Sequence, residues 1–260
     1  MAPVHAARKI EIRDCSSVAE FAECVRIEHA IWGESIAVPV PIFVVAHHTG
    51  GQILAAYEGG RMAGFTLAFA AWRDGKLLLH SHIAAVLQES RDRGVGRSLK
   101  LAQRKDALAR RIDLIEWTFD PLDLKNAYFN LARLGVIVRR HIANCYGVTE
   151  SPLHAGLPTD RLVAEWWLDS DRVKATLDGR AQTAGTTVER VTIPARFADL
   201  RESDRAAAAG IQSAAREQFL KWFGRGYAGT GVERRAEATD YLLEPGGAIE
   251  GLKLAGPKES

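Results

Sequence analysis

The sequence predicts a mixed α/β (α+β) fold: a mostly antiparallel central sheet with helices on both faces, followed by a strand–helix–strand C-terminal extension. Two patterns carry this. Apolar runs at residues 52–58, 63–72 and 76–87 are separated by Gly59-Gly60 and Asp74-Gly75, hairpin-type turns that make an antiparallel meander. After Leu87 the apolar period changes from that of a strand to that of a helix, and helix and strand patterns then alternate as far as residue 168.

Each element has a local reason. Residues 8–13 alternate in character and read as a strand; Ser16 or Ser17 caps a helix in which Val18, Phe21, Val25 and Ile31 recur up to Gly33. Val38-Pro39-Val40-Pro41 breaks regular structure and reads as a connection. Over residues 94–111, Val95, Leu99 and Ala102 share a helical face that Leu101, Leu108 and Ile112 widen. Residues 113–119 form an apolar run of strand length, ended by Asp120-Pro121. A helix over 124–134 stops at Gly135, which supplies a left-handed closing residue. Strands follow at 136–140 and 162–168, and charge, Gly and Thr mark 169–185 as a linker. The tail adds a strand (188–193), a helix (200–223), a four-glycine loop (224–231) and a last strand (241–243). The expected organisation is a domain over 1–170, a linker over 171–187 and an extension over 188–260 packed on the main domain.

With 260 residues, 47% hydrophobic and 25% charged, the chain is long enough to bury a sizeable core. Its apolar runs are too short to cross a bilayer and its first residues lack the apolar region of a signal peptide, so a cytoplasmic protein with no membrane partner is expected. Cys15, Cys24 and Cys145 form no CxxC pair, which points to small buried residues rather than a disulfide framework or a metal site. The formal net charge is only +2, yet Arg91 to Arg111 holds eight basic residues against Asp92 and Asp106. A polyanion would bind there; the alternative is a solvated helix face.

The segment from Leu77 to Lys100 runs strand, polar turn, then glycines opening a helix. A helix start presents unpaired N–H groups and the positive end of the macrodipole, and Gly94 and Gly96 let a phosphate come close to the backbone. Arg91, Arg93 and Arg97 add charge around it. The dinucleotide fingerprint fails because Leu99 occupies its third glycine position, and no P-loop is present. The pattern that does match is [QR]-x-x-G-x-[GA], as Arg91-x-x-Gly94-x-Gly96.

Over about residues 8–170 the order of elements and this loop resemble the GNAT superfamily of N-acyltransferases. The resemblance is also carried by Leu78-Leu-His-Ser-His82, Trp117-Thr-Phe-Asp-Pro-Leu122, Asn126-Ala127, Asn130 and Gly156-Leu-Pro-Thr-Asp-Arg161. Phe219, Gly226-Tyr227 and Tyr241 extend it into the tail, toward a poorly characterised branch of that superfamily. It implies an acyl-CoA-dependent N-acyltransferase, with acetyl-CoA as default donor and the primary amine of a small molecule such as an amino acid as acceptor. No metal is required. Arg91, Arg93, Gly94, Val95, Gly96 and Arg97 would cradle the pyrophosphate of coenzyme A. The backbone of about Ala84, Ala85 and Val86 would pair with the pantetheine arm, with a bulge aiming an N–H at the thioester carbonyl, and Asn126 would hold the pantetheine or phosphate portion.

An attacking amine must lose a proton. His80 and His82 share a strand face, and His82 is the candidate base or water-positioner; the alternative is a core histidine bonded to a neighbouring strand. Glu116 and Asp120 are further candidates. Members of the superfamily often carry a tyrosine four residues before the glycine closing the second helix, as general acid; here Leu131 stands there, and Tyr128 lies one turn earlier. His47-His48 lie either on the acceptor side or at the surface. Succinyl-CoA is an alternative donor, with an arginine such as Arg216 pairing its second carboxylate. A non-catalytic CoA-binding sensor is a second reading and a nucleic-acid-binding module a third, less favoured one. Acceptor identity and oligomeric state are not encoded in any motif.

Overall fold

A computed structural model describes residues 10–33, 37–147, 156–180 and 188–248. It has a mixed α/β architecture with a largely antiparallel strand arrangement, as the sequence predicts. The chain forms two compact units, Met1–Glu116 and Trp117–Ser260.

In the first unit, β1 (Ile10–Asp14), β2 (Gln52–Glu58), β3 (Arg61–Arg73) and β4 (Lys76–Val86) pair antiparallel in that order. The start of β5 (Leu114–Phe119) joins β4 in parallel at Leu79↔Ile115 and His80↔Glu116. Residues 8 and 9 of the predicted first strand lie outside the described residues. Both hairpin turns carry the left-handed backbone their glycines allow, with Gly59, Gly60 and Gly75 at φ 60°, 82° and 77°.

Helix α1 (Val18–Trp32) begins with a capping box: Ser17 Oγ accepts from Glu20 N–H, and the Glu20 carboxylate accepts from Ser17 N–H. The predicted connection at Val38–Pro41 is instead the entry to a second helix, α2 (Val40–His48). Its prolines sit before and within the first turn, where no backbone donor is needed, so they start the helix rather than break it. Phe21, Cys24 and Ile27 of α1 and Phe43 of α2 pack on Phe65, Leu67, Ile83 and Ala85 of the sheet. Helix α3 (Val95–Ala109) covers the opposite face, where Val95 and Leu99 meet Leu54 and Ala56.

In the second unit the strand order is β7 (Arg161–Trp167), β6 (Ile137–Ile142), β9 (Tyr227–Arg234), β10 (Ala238–Pro245), β8 (Glu189–Pro194). The segment expected as a glycine loop is therefore largely a strand. Gly229 pairs with Val138, and a Cβ on it would come within 2.6 Å of Val138 Cγ2, so this glycine serves close strand approach rather than a turn. The expected tail helix is two, α6 (Phe197–Ser203) and α7 (Arg205–Phe223), divided at Asp204, whose carboxylate caps α7. Ala208, Gln212, Ala215 and Phe219 make the buried stripe of α7, and Phe219 meets Tyr241 edge-on at 5.1 Å. Part of the expected linker is a helix, α5 (Asp171–Leu177), with Val173 buried; residues 181–187 lie outside the described residues. Helix α4 (Leu124–Tyr128) continues as a π-helical turn (Phe129–Arg133) before Gly135 at φ 74°.

Candidate active site

The elements that frame the site in the first unit are β4 and the start of α3. Between them, a 3-10 turn (Gln88–Ser90) and a bend bring the chain to Gly94, which takes φ 84° and acts as N-cap with no side-chain cap. Ser98 N–H bonds Gly94 O at 2.9 Å. The N–H groups of Val95, Gly96 and Arg97 before it have no acceptor among the described residues. No acidic side chain lies in this first turn. This 15-residue helix thus starts with three open N–H donors at its positive end.

The three arginines of the loop behave differently. Arg91 Nε donates to Val86 O at 3.1 Å, tying the loop to the end of β4. Arg93 Nη1 lies 3.1 Å from Glu58 Oε2, which also accepts from Ser90 Oγ at 2.9 Å, so its charge is balanced by a carboxylate. Arg97 keeps a buried Nε with no hydrogen-bond partner among the described residues.

The bulge in β4 lies earlier than expected. Gly64↔Val86, Phe65↔Ala85 and Thr66↔Ala84 pair in regular register, whereas Leu67↔Ile83 is followed by Ala68↔Ser81. His82 is the extra residue. A bulge inserts one residue without a cross-strand partner, so the side chains on either side of it change faces. Ser81 points to α3, while His82 lies beside Phe69 (ring centroids 5.6 Å) and Ile83 joins the core under α1 and α2. Along β4, the hydrogen-bonded pairing with β5 is confined to Leu79 and His80.

His82 is exposed, which sets aside the reading of a core histidine. His80 lies on the same face, its ring 6.5 Å from that of His82. Desolvation holds both imidazoles below their ordinary value, with the neighbouring His82, Arg73 and Lys100 charges adding to the effect at His80. Both are therefore neutral at pH 7 and able to take a proton. Glu116, another candidate base, is buried and ion-paired to Arg73. That ion pair commits its carboxylate to the Arg73 guanidinium.

Other expected residues fall in the second unit. The Asn126 backbone N–H caps onto Asp123 Oδ1 at 3.0 Å, and its half-buried carboxamide has no hydrogen bond among the described residues. Burial raises the pKa of Asp120, whose Oδ1 accepts from Leu122 N–H at 2.8 Å and fixes the turn at Pro121. Leu131 is buried, and Tyr128 lies under the Arg234 guanidinium at 4.1 Å. Arg216 is gripped by Asp160 at 2.7 and 2.9 Å, so it is not available for a second carboxylate of a longer donor. In the first unit, His47 and His48 are exposed in the last turn of α2.

Sequence reasoning passed over a buried polar cluster behind the bulge. Lys100 Nζ donates to Ser81 Oγ at 2.9 Å, and the Gln103 carboxamide lies 3.4 Å from the same hydroxyl. All three residues are buried. The signal was helical spacing: Gly96, Lys100, Gln103 and Ala107 share one stripe of α3. Burial lowers the Lys100 ammonium to about 7. An unfolded chain would hold this proton up to the ordinary lysine value, so it binds more protons than the folded one between about pH 7 and 10.5. Stability should therefore rise with pH across that window. Lys100→Met, which keeps the volume and removes the charge, is expected to be more stable than wild type at pH 7 and to flatten the rise, as read from denaturant midpoints against pH. Cys15 and Cys24 are buried as expected; Cys145 is partly exposed. Among the described residues no helix is long and apolar enough to cross a membrane, and no group of His, Cys, Asp and Glu could hold a metal.

No family model and no curated protein matches the sequence. Solved structures match in fold. The ribosomal-protein-S18-alanine N-acetyltransferase of Escherichia coli superposes over 62% of this chain and 96% of its own, at TM-score 0.52 and 13% identity. A Salmonella typhimurium protein described as an acetyltransferase, with its cofactor acetyl-CoA, covers 62% of this chain and 95% of its own at TM-score 0.51 and 17% identity. Naa50 of Arabidopsis thaliana, in complex with the bisubstrate analogue CoA-Ac-MVNAL, covers 60% and 97% at TM-score 0.50 and 13% identity. The chain has the fold of the GNAT N-acetyltransferases.

Proposed function

We propose that the protein is an acyl-CoA-dependent N-acyltransferase that uses acetyl-CoA and modifies the primary amine of a small molecule. The observation that carries this reading is the uncapped start of α3, with open N–H groups at Val95, Gly96 and Arg97 directly after the bulged strand. The donor supplies a thioester carbonyl, to which an amine adds before the thiol departs.

In this reading Gly94 and Gly96 leave the backbone donors accessible to the pyrophosphate, and the Arg97 guanidinium supplies the counter-charge that Arg93 directs to Glu58. The edge of β4 through Ala84, Ala85 and Val86 receives the pantetheine arm, and the His82 bulge offers a backbone donor for the charge developing on the carbonyl oxygen. The neutral His82 imidazole takes the amine proton, directly or through water. With Leu131 in place of a tyrosine, the departing thiolate regains, through water, the proton that His82 took from the amine, so amide and free thiol form with no net proton change. Residues 1–170 would contain the acyl-CoA site, 171–187 the linker and 188–260 the extension, in a cytoplasmic enzyme.

Calorimetry with coenzyme A and acetyl-CoA, followed by thiol release against a panel of free amino acids, other small amines and peptides with a free N-terminus, tests this. Saturable heat and turnover with a small amine are expected, with succinyl-CoA run beside acetyl-CoA. Absence of heat with either CoA species would overturn the assignment. Heat without turnover would support the sensor reading, which Leu131 and the Arg234-covered Tyr128 favour. Turnover confined to peptides would replace the small-molecule acceptor by a protein one.

A further inference from the structure

We propose that Lys100 is a positioning residue for acyl transfer: through its hydrogen bond to Ser81 it pins the β4 bulge and so sets where the backbone and imidazole of His82 are presented on the other side of the sheet. This rests on the acyltransferase reading for its kinetic consequence, though not for its structural one.

Ser81 is the residue immediately before the unpaired His82, so a slip of Ser81 by one position would restore regular register and rotate His82 away. What opposes the slip is the grip on the Ser81 hydroxyl. Lys100 Nζ holds it at 2.9 Å, and both polar ends of Gln103 lie 3.4 Å away. Gln103 is itself anchored, since its carbonyl accepts from Gln52 Nε2 at 3.2 Å, and Gln52 also donates to Asp106 Oδ2 at 2.6 Å. The lysine is not there for packing. A methionine would fill the same volume without burying an amine, a group that loses its hydration when enclosed. Lys100 also lies one turn beyond Gly96 on the same stripe of α3. The helix that offers its first-turn donors to an anion is thus the one that grips the bulge, and anion binding and His82 placement share a rigid element.

The test compares Lys100→Met, Ser81→Ala and the hydroxyl-preserving Ser81→Thr in the full chain. Amide hydrogen exchange is followed at His82 and Ile83, with CoA binding by calorimetry and thiol release alongside. Lys100→Met and Ser81→Ala should speed exchange at those amides. They should also lower kcat by about tenfold or more, as expected when a reacting group is misplaced, while CoA affinity and KM for the acyl donor stay as in wild type. Ser81→Thr should retain wild-type exchange and turnover, and the double variant Lys100→Met/Ser81→Ala should be no worse than either single one. Folded Lys100→Met with wild-type exchange at His82 would overturn the proposal, as would a kcat loss matched by loss of CoA affinity. Should the wild-type protein release no thiol with any amine, the acyltransferase reading fails while the exchange data still decide the role of Lys100 at the bulge.

Discussion

Gly96→Glu is expected to weaken coenzyme A binding by roughly 100-fold or more, since a like charge set against a bound anion costs several kcal/mol, and to make the apo protein slightly more stable than wild type. A Cβ at Gly96 meets only Val86 Cγ2 at 3.8 Å, ordinary contact. Replacing a helical glycine gains up to about 1 kcal/mol of helix propensity, and a carboxylate in a first turn adds roughly 0.3–1 kcal/mol through the macrodipole. Fold and ligand thus respond in opposite directions, which separates loss of binding from loss of structure. Gly94 offers no such separation, because φ 84° strains any other residue there. Calorimetry beside a thermal melt reads both quantities; unchanged affinity in a folded Gly96→Glu protein would remove the first turn of α3 from the site.

His82→Asn is expected to lower kcat by about 100- to 1,000-fold, within the range general-base catalysis supplies, with KM for acetyl-CoA preserved. The pH profile gives the sign. Desolvation by the surrounding protein holds the partly covered wild-type imidazole below its ordinary 6.5, and the working form is the neutral one. Turnover should therefore climb with pH through that lowered value and level off before neutrality. His82→Asn should lose this acid limb together with most of the rate. A variant with the same limb as wild type would move the base elsewhere.

The fold was readable wherever apolar period and turn chemistry agreed. The meander, α3 and the Gly135 stop all depend on local rules, and each lies where period and glycine placement put it. The disagreements share a cause: residues whose usual meaning was reversed by their neighbours. Pro39 and Pro41 read as breakers yet open α2, because a proline in a first turn forfeits nothing. Gly229 reads as a loop residue yet lies in β9, because Val138 of β6 fills the space its side chain would take. The bulge was expected near Ala84–Val86 and occurs at His82, since its position depends on how Leu67 and Ala68 of another strand count against β4. The open start of α3 was legible because its backbone donors, glycines and arginines are all local. The partners of Arg93, Lys100 and Arg216 were not, because Glu58, Ser81 and Asp160 lie far along the chain.

Helix α3 begins on a bare glycine, without the serine or aspartate that completes α1, α5 and α7. A glycine in place of such a cap costs only about a few tenths of a kcal/mol, so the empty protein carries a small deficit at one helix terminus. A phosphate arriving there would act as a borrowed end-group. Part of its affinity would then be folding energy of the helix itself, and occupancy would be registered as local order along the same backbone that reaches Lys100.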